Sequence, residues 1–271
     1  MHALSTVAAL TGREILKFVR DRSRLLGVLI QPLAFWLLLG LGFQSTFQMP
    51  GGMSVAGASV GGAQGVGYIE FLFPGIIALV ILFTAIFSTI SIVEERTSGF
   101  LQAVLVAPTP RIALVVGNAL GGTLLATGQA VLFLFALPAI GMAPGIGGIA
   151  LIVALCLLTG LAFTALGFTI AWRMDTTRGF HAVMNLFLLP LWFLSGAMFP
   201  AEGAAPVLRW MVWANPVSYA VSGIRSGMYG LADAAPATLA SPVVCLAVSA
   251  GFAALMLVAA VWTVKRPFFA S

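Results

Sequence analysis

Residues 112–172, a run of 61, contain no charged side chain. At a rise of about 1.5 Å per residue, a helix of this length far exceeds one crossing of a hydrocarbon layer roughly 30 Å thick. The run must therefore enter the lipid, turn, and come back. Pro138, Gly141, Pro144, Gly145, Gly147 and Gly148 supply the break, predicting one span over 112–137 and another over 148–172. The remainder of the chain obeys the same constraint, since 61% of its 271 residues are hydrophobic and only 8% are charged, against roughly a quarter charged in a soluble domain. The expectation is an all-α integral membrane protein, with 1–271 forming one membrane domain.

Four further spans follow from the apolar runs: 25–43, with Gln31 and Pro32 interrupting it, 70–93, 182–199 and 242–264. A proline inside the first removes one backbone bond and should kink it. Residues 44–67 are rich in Gly and Ser, carry no charge, and read as a loop. Upstream, 4–24 has helical periodicity, with Leu4, Val7, Ala8, Ile15, Phe18 and Val19 on one stripe and Arg13, Lys17, Arg20 and Arg24 on another. This pattern predicts an interfacial helix whose cations meet anionic lipid. A cleavable leader is not expected, because the first apolar run starts only at Leu25 and is already of membrane length.

Orientation follows from the loops. With the N-terminus inside, Arg13, Lys17, Arg20, Arg22, Arg24, Arg96, Arg111, Arg173, Arg178, Lys265 and Arg266 lie on the cytoplasmic side, eleven of the thirteen cations. Only Arg209 and Arg225 fall outside. That bias requires an even number of spans and both termini in the cytoplasm, with Trp172 and Trp262 at the inner boundary as interfacial anchors. The net charge of +5 is thereby explained by topology, without nucleic acid as a partner.

Two segments are too apolar for solvated loops and too polar for spans. Residues 94–111 place Phe100, Leu101, Val104 and Leu105 on one helical face, with Gly99 before it and Pro108 and Pro110 after it. A partner protein or the membrane interface could cover that face. Residues 200–230 hold Arg209 and Arg225 among aromatic side chains, and Asn215-Pro216 disfavours a continuous helix. The expectation there is a re-entrant or interfacial hairpin of two short helices, tolerable at membrane depth only where protein or water satisfies its backbone.

The strings Glu94-Glu95-Arg96 through Val106-Ala107-Pro108, Phe193-Leu194-Ser195-Gly196-Ala197-Met198-Phe199-Pro200 and Trp213-Ala214-Asn215-Pro216-Val217-Ser218-Tyr219-Ala220, in this order and spacing, resemble the type-2 ABC exporter permease family. The resemblance covers nearly the whole chain. It implies six transmembrane helices with an N-terminal interfacial helix, a cytoplasmic coupling helix between spans two and three, and an outer re-entrant helical hairpin before the sixth. It also implies a cytoplasmic ABC ATPase subunit as partner, docked on Glu94, Glu95, Arg96 and the face of Phe100, Leu101, Val104 and Leu105, with Arg13, Glu14 and Lys17 sharing the contact. Arg209, Trp213, Asn215, Pro216, Tyr219 and Arg225 would help to close the exit between two permease copies, identical or different. The implied setting is a bacterial inner membrane, with membrane lipid as a further partner.

ATP hydrolysis must come from the partner, which would use ATP and Mg. This chain has no GxxxxGK[ST] loop, and its only lysines are Lys17 and Lys265. No catalytic cluster falls within a predicted span, so an intramembrane enzyme is disfavoured. Missing intramembrane charge and the absence of a clear inverted repeat also argue against an ATP-independent channel or secondary transporter, the alternative reading. Gln31, Phe35, Asn185 and Trp192 are candidates to line the pathway of a hydrophobic or amphipathic solute. The polar ones, like Asn118 and Gln129, could instead bind neighbouring helices.

Overall fold

The computed structural model describes residues 2–42, 68–99, 110–199, 205–230 and 238–265, and all regular structure among them is helical. The helices are α1 (His2–Arg20), α2 (Arg22–Gly42), α3 (Tyr68–Ser88), α4 (Ile90–Thr97), α5 (Arg111–Leu134), α6 (Ile146–Ala171), α7 (Thr177–Phe193), α8 (Pro206–Ala214), α9 (Pro216–Met228) and α10 (Pro242–Lys265). Among the described residues, four stretches are long and apolar enough to cross a membrane: Tyr68–Thr97, Arg111–Leu134, Ile146–Ala171 and Pro242–Lys265. The chain is thus a multi-pass membrane protein. Ile30–Gly42 in α2 is a shorter apolar stretch, and α7 has 17 residues.

The long charge-free run folds as α5 and α6 joined by a compact turn. A short 3-10 helix, Leu137–Ile140, ends at Gly141 with φ of 76°, a conformation that costs glycine little and other residues much. Asp21 separates α1 from α2, so the first break falls a few residues earlier than the apolar pattern suggests. Aspartate competes for backbone hydrogen bonds and is a poor interior helix residue.

Burial divides the helices sharply. The most apolar window of Tyr68–Thr97 is 94% buried within the chain, against 22% for Pro242–Lys265. α3 is therefore the core element and α10 a peripheral one whose apolar side chains face outward. α6 packs against α10, α5, α9 and α3 and so ties the bundle together.

Lipid tails are as apolar as leucine, so helix association in a membrane depends on close packing and on polar side chains that find each other. Both devices are present. A Cβ at Gly122 would collide with the Ser88 hydroxyl and the Thr164 side chain, so glycine is what lets α5 lie against α3 and α6 at once. The Thr84 hydroxyl donates to Gln129 Oε1 across the α3 to α5 contact, so Gln129 binds a neighbouring helix. Between α3 and α4 the rod breaks at Thr89, whose hydroxyl and amide both donate to Ile86 O.

Candidate functional site

Two clusters of polar residues stand at opposite ends of the bundle. The charged end is built on α1, α4 and the turn between α6 and α7. Helix α1 lies along α5, where Gly117 and Gly121 leave room for Leu10 and Glu14: a Cβ on either glycine would strike those side chains. The Thr11 hydroxyl donates to Gly117 O at 3.2 Å. Phe18 is buried as well, whereas Leu16 and Val19 are exposed. The face of α1 that meets protein thus runs through Leu10, Glu14 and Phe18, and only part of its apolar stripe is left for a membrane interface.

This docking carries α1's charges onto α4. Arg13 donates to Glu95 Oε1 at 2.6 Å and to Glu14 Oε1 at 3.1 Å, and the Lys17 ammonium donates to the same Glu95 oxygen. Ser91, one turn before Glu95, donates to Glu14 Oε2 at 2.9 Å. Both carboxylates are buried, while the side chains of Arg13 and Lys17 are 28% and 41% exposed. A buried carboxylate is tolerated when charge and hydrogen bonds meet it, and here two cations and a hydroxyl do so. Glu94 points outward and is exposed.

Arg96 turns the other way. Its guanidinium donates to Trp172 O, to Met174 O at 3.0 Å and to Asp175 Oδ1 at 2.9 Å. A cation on the last carbonyls of α6 complements the negative end of that helix. Trp172 is buried, stacked on Phe168 with ring centroids 5.5 Å apart, and does not serve as a lipid anchor. Trp262 is exposed. Arg111 reaches Val264 O at 3.5 Å, which brings the start of α5 to the end of α10. Phe100, Leu101, Val104 and Leu105 lie outside the described residues.

At the hairpin end, the chain breaks at Asn215 into α8 and α9. Asn215 caps α9 by accepting from Val217 N at 2.9 Å, and its Nδ2 donates to Leu191 O at 2.6 Å, which ties the hairpin to α7. Pro216 takes the first helical position, where a missing N–H costs nothing. The Tyr219 hydroxyl donates to Trp213 O at 3.0 Å. Trp213 and Arg209 are exposed on α8.

Arg225 is 2% exposed. Its guanidinium lies 4.2 Å from the Phe71 ring centroid and donates to Phe71 O and Gly196 O, each at 3.4 Å. Pro74 lies three residues further along α3, where its missing N–H leaves Glu70 O without its helical donor. Nearby, Gly75 O accepts from Trp192 Nε1 at 2.6 Å. Burial raises the Tyr229 phenol pKa, Glu70 adds to the rise and Arg225 opposes it, so these three groups share one electrostatic neighbourhood.

Of the pathway candidates, Gln31 and Asn185 are exposed on α2 and α7. Trp192 is buried, with Phe35 packed edge-on against it at 6.1 Å between centroids. Reasoning from sequence missed Ser91, Asp175 and the seat of α1. Ser91 stands four residues before Glu95 on the same helical face, and the Gly117 and Gly121 spacing was visible, but neither signal names its partner.

Residues 5–229 match a family model described as ABC-2 type transporter. The chain is 28% identical over 157 residues to the probable multidrug ABC transporter permease YbhR of Escherichia coli K12, covering 56% of this chain and 42% of that protein. It therefore spans less than half the length of this relative. It is 28% identical over 224 residues to the putative transport permease ycf38 of Porphyra purpurea, covering 82% and 73% of the two chains. It is also 28% identical over 223 residues to nodulation protein J of Rhizobium leguminosarum bv. viciae, covering 76% and 75%.

Proposed function

The chain belongs to the ABC-2 type transporter family, and on that premise we propose that it forms, with a second permease, the export pathway of an ATP-driven transporter. In this reading α2 and α7 join the four long apolar stretches as spans, giving six. The charged end faces the cytoplasm of a bacterial cell, with both termini there, and the hairpin faces outward. A separate ABC ATPase subunit binds ATP and Mg and seats on α1, α4 and the segment that follows α4.

The observation that carries this reading is the join between α1 and α4. Arg13 and Lys17 on one helix converge on Glu95 of the other, and Ser91 reaches back to Glu14. Helix α4 continues from α3, and together they hold the most buried of the four long apolar stretches. A displacement imposed at this surface is thereby delivered to the middle of the bundle and not dissipated in a loop, because packed cores deform in steps.

The transported solute is hydrophobic or amphipathic, a drug-like molecule, a lipid or a lipid-linked saccharide. The absence of charge along 112–172 supports this class, and one relative carries the name of a multidrug permease.

The test is a mild-detergent purification of the tagged chain with its membrane neighbours, followed by ATPase assay against lipids and hydrophobic drugs. A stoichiometric ATPase whose rate responds to one solute class is expected, and Leu101→Asp should abolish transport while leaving membrane insertion intact. Repeated recovery of the intact chain alone, without ATPase activity, would overturn the proposal.

A further inference from the structure

At the hairpin end a cavity of about 790 Å³ opens between α8, α9, the turn after α7 and residues 238–239. That is within the range of sites that hold small organic ligands. Its lining combines three kinds of chemistry. Arg209 from α8 and Arg225 from α9 bring two guanidinium groups, and among the described residues the lining contributes no carboxylate. Arg225 is fixed from behind by the Phe71 ring and by the carbonyls of Phe71 and Gly196. The Ser218 hydroxyl also lines the cavity, is 2% exposed as a residue, and has no hydrogen-bond partner among the described residues. Hydroxyls sealed in this way ordinarily find a partner.

The third element is apolar. Trp210 and Trp213 line the cavity while remaining 74% and 58% exposed, and α8 exposes Val207 and Met211 too, burying only Val212. A nine-residue helix with that surface is suited to the boundary between lipid headgroups and acyl chains, where indoles concentrate. The cavity thus has a cationic, hydrogen-bonding interior and an opening bordered by a helix fit to lie in lipid.

We propose that this cavity binds the headgroup of an anionic phospholipid from the surrounding bilayer. The phosphate pairs with Arg209, is drawn further by the positive field of the Arg225 guanidinium held in the cavity wall, and accepts from the Ser218 hydroxyl, while the acyl chains pass outward along Trp210 and Trp213. Two guanidiniums favour phosphate by charge, and the exposed Arg209 adds its forked donors. The apolar border favours a lipid over a free anion, and the bound lipid braces α8 against α9. This goes beyond the transport reading and needs no ATPase.

The test uses the full chain in phosphatidylcholine nanodiscs, with tryptophan fluorescence quenched by acyl-brominated phosphatidylglycerol or acyl-brominated phosphatidylcholine. Half-quenching by the anionic lipid is expected at a mole fraction about tenfold lower than for the zwitterionic one, as one charge-assisted contact of ordinary strength gives. Arg209 is exposed, so Arg209→Gln should keep the fold, shown by an unchanged melting profile, and remove the preference. Ser218→Ala should weaken the anionic lipid several-fold and leave phosphatidylcholine unchanged. Equal quenching by the two lipids would overturn the proposal, as would a preference that survives Arg209→Gln. It would fall equally if inorganic phosphate, at constant ionic strength, reversed the quenching at concentrations comparable to the lipid, since the site would then read an anion alone. Failure of the ATPase purification would leave this result untouched, so the two readings stand or fall separately.

Discussion

The two ends of the bundle handle positive charge in opposite ways. At the charged end, Arg13 and Lys17 are partly exposed and share one buried carboxylate. At the hairpin end, Arg225 is sealed in and held by an aromatic face and main-chain carbonyls from two other segments. A solvent-touching network can trade partners at little cost, because water and salt replace what a displaced side chain loses. A sealed guanidinium cannot, since any motion that uncouples it leaves buried polar groups unmet. The contrast assigns rearrangement to the charged end and anchoring to the hairpin end, and each variant below can break that assignment.

The largest effect is expected from Arg225→Ala. It deletes a large buried side chain and strips donors from Phe71 O and Gly196 O, which should cost about 3 kcal/mol. Thermal unfolding in detergent should register the loss, and added salt should not change it. Parent-like melting, or a strong dependence on salt, would place Arg225 with the exposed network and dissolve the comparison.

Asn215→Ala comes next. It removes the cap on Val217 N and the tie to Leu191 O together, and loss of such a cap costs about 1 kcal/mol. Proteolysis between α8 and α9 should quicken while the charged end stays protected. If both ends open together, the hairpin is not an independent anchor and the bundle behaves as one unit.

Glu95→Gln should cost less stability than losing that cap and tie together, no more than about 1 kcal/mol, because Arg13 retains Glu14 and Lys17 can turn to water. Its larger consequence lies in coupling. ATP hydrolysis by the assembled complex should persist while transport falls, measured as solute moved per ATP. Unchanged coupling would show that the join between α1 and α4 is a packing contact only.

Much of this architecture was legible because lipid leaves few choices. A run of 61 uncharged residues had to be two helices, and the Pro and Gly cluster had to be their turn. The break at Asn215 was equally readable, since the residue before a proline avoids helical conformation while asparagine favours the cap. What the pattern could not supply was partner choice. Glu14 reads as one more surface charge on a basic helix, yet the glycine groove of α5 buries it beside Ser91. Trp172 reads as a lipid anchor by position alone. It is buried instead, with its carbonyl bound by Arg96 of α4, a tertiary fact with no local signature. Arg225 stood out as a cation among aromatic residues, but nothing local indicated that its carbonyl partners come from residues 154 and 29 positions away.

The smallest effect, and the finest test of the contrast, is Lys17→Met. Lys17 is the more exposed of the two cations on Glu95, and Arg13 still meets that carboxylate when the ammonium is gone. The loss should be no more than about 0.5 kcal/mol at low ionic strength and should vanish as salt rises. Differential melting of parent and variant across a salt series gives both numbers. A loss that persists in high salt would mean that the Lys17 ammonium is effectively sealed against Glu95, as Arg225 is sealed at the other end. The charged end would then be a second anchor, and coupling would have to pass through the segment after α4 alone.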